Sequence, residues 1–232
     1  MKVVLFGATG MIGQGVLREC LLDAEVEQVL AIGRRPTGAR HPKLREIVHE
    51  DFFDFSGIEG ELSGFDACLF CLGVSSAGMS EQTYRRATYD ITMAAAGTLA
   101  KLNPGLTFLY ISGAGTDGTE RGRVMWARVK GATENALLRL PFKAAYMFRP
   151  AYIQPLHGIR SSTGWTRALY AVMGPLYPVW KKLFPGHVTT TEELARAMIR
   201  VAGHGAEKRI LESRDIPEVL SSRTRKEEVD SQ

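Results

Sequence analysis

Lys2-Val-Val-Leu-Phe-Gly7-Ala-Thr-Gly10-Met-Ile-Gly13 is the stretch that decides the fold. Val3 to Phe6 form a β-branched and apolar run of the kind that makes a strand buried on both faces. An apolar helical pattern then begins at Ile12 and continues through Val16, Leu17, Cys20 and Leu21. Glycines at 7, 10 and 13 lie between the two patterns. They permit a sharp turn and leave the backbone bare enough for a phosphate to reach the free N–H groups at a helix N-terminus. Spaced glycines are common in turns, so the strand before them and the helix after them give the pattern its meaning. The expectation is a dinucleotide site built on Gly7, Thr9, Gly10, Met11, Ile12 and Gly13.

Outward from this stretch, strand and helix patterns alternate. Strands are expected at 2–7, 27–32, 45–49, 66–72, 106–111 and 144–149, and helices at 11–23, 81–101 and 122–139. Such alternation predicts an α/β fold, a doubly wound parallel sheet of the Rossmann type with strand order 3-2-1-4-5-6. Residues 1–150 then form a nucleotide-binding domain and 151–220 a small C-terminal substrate or interaction part, with a helix at 191–202. Residues 221–232 are polar and charged and read as a disordered tail. The semi-apolar stretch 161–186 is broken by Pro175 and Pro178. Its longest uncharged run, Ala168 to Trp180, is short of the ~20 residues a bilayer span needs. Trp165, Tyr170, Tyr177 and Trp180 suit a substrate lid, an oligomer contact or a peripheral membrane face.

The 232 residues carry 29 Lys and Arg against 25 Asp and Glu, a net charge of +4, and the basic residues are scattered. No basic face interleaved with aromatics appears, which argues against nucleic acid and suits a small anionic ligand. Cys68 and Cys71 fall three apart on one strand, so they point to opposite faces and serve neither a metal nor a dithiol cycle. His41, His49, His157, His187 and His204 show no ligand spacing, and no metal is expected. Met1 leads straight into the first strand without a signal peptide, so the expected location is cytoplasmic.

In a doubly wound sheet the ligand sits beyond the carboxyl ends of the strands. After strand two come Gly33-Arg34-Arg35-Pro36, where an acidic residue would favour NAD. Two guanidinium groups suit a 2′-phosphate instead, which predicts NADP as cofactor. Asp51 and Phe52 are placed to line an adenine pocket, and Leu72 and Gly73 to run beside the nicotinamide ribose. Ser112 follows strand five, where a substrate carbonyl is expected.

Taken in order, the glycines, Gly33-Arg34-Arg35, Asp51, Leu72-Gly73, Ser112 and Lys130 resemble the short-chain dehydrogenase/reductase superfamily. The T-G-x-x-G-x-x-G form of its extended and atypical branches is matched in part at Thr9-Gly10-Met11-Ile12-Gly13. Phe148-Arg149-Pro150 is similar to the segment that begins the substrate-binding part. The chain looks closest to small atypical members related to the Tat-interacting protein and to NmrA-like proteins, chiefly over residues 1–155. The resemblance implies NADP(H), with Lys130 holding the nicotinamide ribose and Pro150 lining the site. The family's catalytic pair is Tyr-x-x-x-Lys, whereas this chain reads Trp126-Ala-Arg-Val-Lys130. Indole donates a hydrogen bond but does not titrate usefully, and a missing general acid costs about 10²- to 10⁴-fold in rate. Ser112, Lys130 and Tyr152 are the remaining candidates for the chemistry.

Three readings follow. The first is an NADP-dependent oxidoreductase acting on a small carbonyl or quinone-like acceptor without the usual tyrosine. The second is a non-catalytic NADP(H) sensor that regulates a protein partner. The third, an epimerase or dehydratase of nucleotide-sugar type, has only a short C-terminal part to hold its substrate.

Overall fold

The alternating runs fold as their periodicity demands. In the computed structural model, which describes residues 1–159 and 186–222, the chain forms a central parallel sheet covered on both faces. Its elements are β1 (Lys2–Phe6), α1 (Met11–Leu22), β2 (Gln28–Gly33), β3 (Leu44–Val48), β4 (Ala67–Phe70), α2 (Glu81–Arg85) and α3 (Ile91–Leu102). There follow β5 (Thr107–Ile111), α4 (Met125–Arg139), β6 (Ala144–Arg149), β7 (Tyr152–Gln154), β8 (Val188–Thr190), α5 (Thr191–His204), β9 (Ile210–Glu212) and α6 (Ile216–Ser221). Most of the aromatic stretch 161–186, read above as a lid, oligomer contact or membrane face, lies outside the described residues, as does the tail from 223.

The main sheet has the order β3-β2-β1-β4-β5-β6-β9, every pairing parallel. This is the expected 3-2-1-4-5-6 order with a seventh strand at one edge. The sequence carries no signal for that strand, because three residues are too few for a periodicity. β7 and β8 pair in a separate two-stranded parallel sheet.

Strand alternation sorts the apolar side chains into two cores. Val3, Leu5, Leu69 and Leu109 face α1 and α5, where Val16, Leu17, Leu194 and Met198 are buried. Val4, Phe6, Phe70 and Phe108 face the other way, against Ala95, Ala96 and Leu99 of α3 and Leu137 of α4. Phe6 packs edge-on against Phe55 at 5.8 Å and tilts toward Phe70 at 5.1 Å. Cys68 belongs to the second core and Cys71 packs against the first, so they do point to opposite faces. Burial pushes both thiols above their ordinary pKa, which leaves no ready thiolate.

α5 joins this core through α1. A Cβ on Gly15 would lie 2.8 Å from Thr191 Cβ, so the two helices cross closely there. A capping box starts α5: Thr190 Oγ1 accepts from the Glu193 N–H at 2.9 Å, and the Glu193 carboxylate accepts from the Thr190 N–H at 3.0 Å. Residues 188–221 therefore share the core of the first 150, with β9 extending their sheet.

Two helices differ in detail from expectation. The run expected at 81–101 is interrupted by a π-helical turn at Arg86–Asp90. The helix expected from 122 starts at Met125, because Asp117 holds the preceding residues in a loop. Its carboxylate accepts from the Thr119 N–H at 2.9 Å and the Gly122 N–H at 2.6 Å, a local alternative to helical bonds. Among the described residues no helix is long and apolar enough to cross a membrane.

Candidate functional site

Because every pairing is parallel, the carboxyl ends of the strands share one edge of the sheet. Strand order reverses between β1 and β4, the point at which a doubly wound sheet leaves a crevice for its ligand. Its floor is glycine. Gly7 turns the chain at φ +81, and a Cβ on it would lie 2.7 Å from Cys71 C and Leu72 N. Gly10 caps α1 with extended backbone and no side-chain bond, and its N–H donates to Gly7 O at 2.9 Å. A Cβ on Gly13 would stand 2.0 Å from Gly7 O. Gln14 Nε2 ties the loop by donating to Thr9 O at 3.0 Å. The first turn of α1 holds no acidic residue, and its leading N–H groups have no intrahelical acceptor. A glycine turn packed too tightly for a Cβ at Gly7 or Gly13, ending in bare N–H groups at a positive helix end, fits a pyrophosphate. Thr9 stands exposed beside it, while Met11 and Ile12 are half-buried against the first core.

Arg34 and Arg35 are exposed past β2, and neither has an ion-pair partner among the described residues. Asp51 is exposed too, with one carboxylate oxygen accepting from the Phe53 N–H at 2.9 Å. Phe52 differs from expectation. Its ring is 5% exposed and sits in the second core against Phe6 and Phe55, drawn there by the aromatic cluster. Phe53 is the ring presented at that edge, exposed with the Arg86 guanidinium 4.8 Å above it. Leu72 is half-buried, and a Cβ on Gly73 would meet nothing within 4 Å, so this glycine is not demanded by the protein's own packing.

The second half of the crevice is set by α4. Trp126, Lys130 and Glu134 follow one another at intervals of four and share a helix face. Trp126 lies over Gly115, its Cη2 3.6 Å from where a Cβ would stand. Lys130 Nζ donates to the carbonyl oxygens of Ser112 and, at 3.4 Å, Ile111. Burial pushes the Lys130 ammonium down to a pKa of about 8, while the nearby Glu134 carboxylate acts in the opposite sense. Glu134 is 1% exposed. It accepts from Arg149 Nε at 3.0 Å and a second guanidinium nitrogen at 2.5 Å, and this pairing holds Arg149 above its ordinary pKa. Glu212 of β9 meets the other side of Arg149 at 3.4 Å.

Ser112 is 7% exposed and sits under this network. Its hydroxyl lies 2.5 Å from Glu134 Oε1, a donation that turns it inward from the crevice. Tyr152, on β7, donates its hydroxyl to Gln154 Oε1 at 2.9 Å. Pro150 is buried, and its carbonyl accepts from the Ala114 N–H at 2.9 Å, extending the β5–β6 pairing past the strands. The structure thus brings Ser112 and Lys130 together and sets Tyr152 on a separate two-stranded sheet.

Sequence reasoning missed Glu134, Arg149 and Glu212 as a connected group. The spacing from Lys130 to Glu134 was a readable signal, but the Arg149 partner lies on another element. Glu19, His157 and Glu192 bring potential metal-ligating atoms within 4.8 Å of one another. Arg196 already bridges both carboxylates, at 3.0 Å and 2.8 Å, and Arg18 also pairs with Glu19. This cluster is an ion-pair network that fastens α1 to α5.

No family model matches the chain. Protein FMP52, mitochondrial, of Chaetomium globosum is 27% identical over 175 residues, covering 72% of this chain and 74% of that protein. Relatives from Aspergillus oryzae and Debaryomyces hansenii share this name, which is not that of the Tat-interacting or NmrA-like groups, and it overturns the cytoplasmic expectation, since it places them in mitochondria. Among solved structures, a short chain dehydrogenase family protein from Francisella tularensis superposes with a TM-score of 0.64 at 14% identity, covering 90% of this chain and 95% of that one. The Bordetella bronchiseptica enzyme WbmH, in complex with NAD+, superposes with a TM-score of 0.61 at 20% identity, covering 87% and 71%. The chain has the fold of these two proteins.

Proposed function

We infer that the protein binds NADP(H) across the carboxyl edge of its sheet and reduces a small, apolar carbonyl or quinone-like acceptor. The observation that carries this reading is the Gly7–Gly13 turn, where a Cβ on Gly7 or Gly13 would collide with backbone and the leading N–H groups of α1 are left without an intrahelical acceptor. Bound NADPH supplies a hydride to an electrophilic acceptor. The chain's part is to hold the dinucleotide with the α1 N–H groups, Arg34 and Asp51, and to orient the acceptor. Val74 and Val124 are exposed in the loops after β4 and before α4, and suit an apolar ring. Arg128 fastens these loops, bonding Glu81 at 2.5 Å and the Gly122 carbonyl at 2.6 Å. The setting carried over from the named relatives is mitochondrial.

A second reading, a nucleotide-dependent binding protein without turnover, draws on the hydroxyls of Ser112 and Tyr152, each bonded to a side chain of the protein itself. Following NADPH absorbance against aldehydes, ketones and quinones separates the two. Oxidation by a quinone or apolar carbonyl is expected; NADPH bound but untouched by the whole panel selects the second reading. Cofactor preference has its own test. Arg34→Ala is expected to weaken NADPH binding roughly 10- to 150-fold while NADH binding barely changes, since a charge-assisted hydrogen bond contributes about 1.5–3 kcal/mol. Equal losses for both nucleotides in a fluorescence titration refute the 2′-phosphate role.

A further inference from the structure

We propose that Lys130 is itself the proton donor of this site, in the place of the tyrosine that Trp126 displaces; the proposal rests on the oxidoreductase reading above. Trp126 stands one turn before Lys130 on the same face of α4, with its ring laid over Gly115. An indole N–H does not supply a proton for transfer. The two hydroxyls nearest in sequence logic are spoken for, Ser112 by Glu134 and Tyr152 by Gln154.

Lys130 reaches the carboxyl end of β5 and bonds two carbonyl oxygens, those of Ser112 and Ile111. An ammonium carries three protons, so one remains for a ligand at the sheet edge. The groups facing Lys130 let it give that proton up. From β5, the Tyr110 ring centroid lies 5.8 Å from Nζ, and burial keeps its hydroxyl protonated. From α2, buried Tyr84 acts on Tyr110 and is likewise raised by burial. From α4 comes the Glu134 carboxylate, which favours the ammonium, but Arg149 of β6 neutralises it through two bonds. Glu212 of β9 is spent on the far side of Arg149. Burial therefore outweighs the attraction of Glu134, and Lys130 exchanges its proton at about pH 8, close to where a general acid works best.

The step balances. The acceptor gains a hydride from the reduced dinucleotide and a proton from Lys130 Nζ, so it is reduced by two electrons while the dinucleotide is oxidised. One N–H bond breaks as an O–H bond forms, and the neutral amine regains its proton from water. Glu134 acts as a positioning residue, holding Ser112 and its carbonyl where Lys130 needs them.

The test combines kinetics with a titration that does not depend on turnover. Protein labelled with [13Cε]lysine is titrated by NMR from pH 6 to 11, with Lys130→Arg identifying the resonance. One lysine is expected to titrate near pH 8; a full set at ordinary lysine values overturns the proposal. Lys130→Arg keeps the charge but does not deprotonate in this range. It is expected to bind NADPH within a few fold of the wild type, while its single-turnover rate at saturating nucleotide falls about 10²- to 10⁴-fold. If the arginine side chain disrupts folding, Lys130→Met serves in the same measurement. A variant whose saturated rate matches the wild type, whatever its affinity, overturns the acid role and leaves the oxidoreductase reading standing. A wild type that binds NADPH and reduces no acceptor removes both.

Discussion

Gly13→Ala is expected to destabilise the protein by about 3 kcal/mol or more and to abolish nucleotide binding with it. A Cβ at this position would stand 2.0 Å from Gly7 O, 2.6 Å from Gly7 C and 3.0 Å from Ala8 Cα. All three are backbone atoms, so no side chain can swing aside to make room. α1 must move off the loop, and the loop is the proposed phosphate site. Helix propensity alone has the opposite sign, since alanine inside a helix is better than glycine by about 1 kcal/mol. A thermal melt and an NADPH titration on the same variant decide between these effects. A midpoint that holds or rises, with NADPH still bound, would show that α1 does not rest on Gly7.

Arg149→Met is the second large effect, with an expected loss of about 3–5 kcal/mol, because it leaves the carboxylate of Glu134 buried and uncompensated. Three guanidinium contacts disappear at once, two to Glu134 and one to Glu212. The loss should appear as a lower denaturant midpoint with an unchanged slope. Removing the charge as well, in the double variant Arg149→Met with Glu134→Leu, is expected to recover much of the stability, since the damage comes from the unpaired ion. A double variant as unstable as the sum of the single ones would instead assign the cost to lost packing.

All six expected strands are present; the most legible are those whose residues are buried on both faces, such as Val3 to Phe6 and Ala67 to Phe70, while β3 is largely exposed. Their apolar runs are continuous and stand out in the chain. The divergence of Cys68 and Cys71 was equally legible, because alternation along a strand is a local rule. β9 was not legible: three residues hold no period, and it becomes a strand only where β6 offers an edge to pair with. Phe52 was misread because position after a strand does not say which way a ring turns, and here the Phe6, Phe55 and Phe70 cluster captured it. Ser112 shows the same limit. Its place after β5 was correct, but the partner of its hydroxyl, Glu134, is 22 residues further on.

By itself, then, the sequence determined whatever depends on a few neighbouring residues: the strand–glycine–helix junction, the parallel order that follows from alternation, and the absence of tyrosine one turn before Lys130. Backbone freedom, side-chain period and helix register act over that range, and each leaves a pattern in the order of residue types. Only the tertiary structure decided which groups meet. Arg149 finds Glu134 across 15 residues and Glu212 across 63, and Arg196 finds Glu19 across 177. Such pairings are set by how helices pack on the sheet, and the lowered proton affinity of Lys130 is a consequence of that packing.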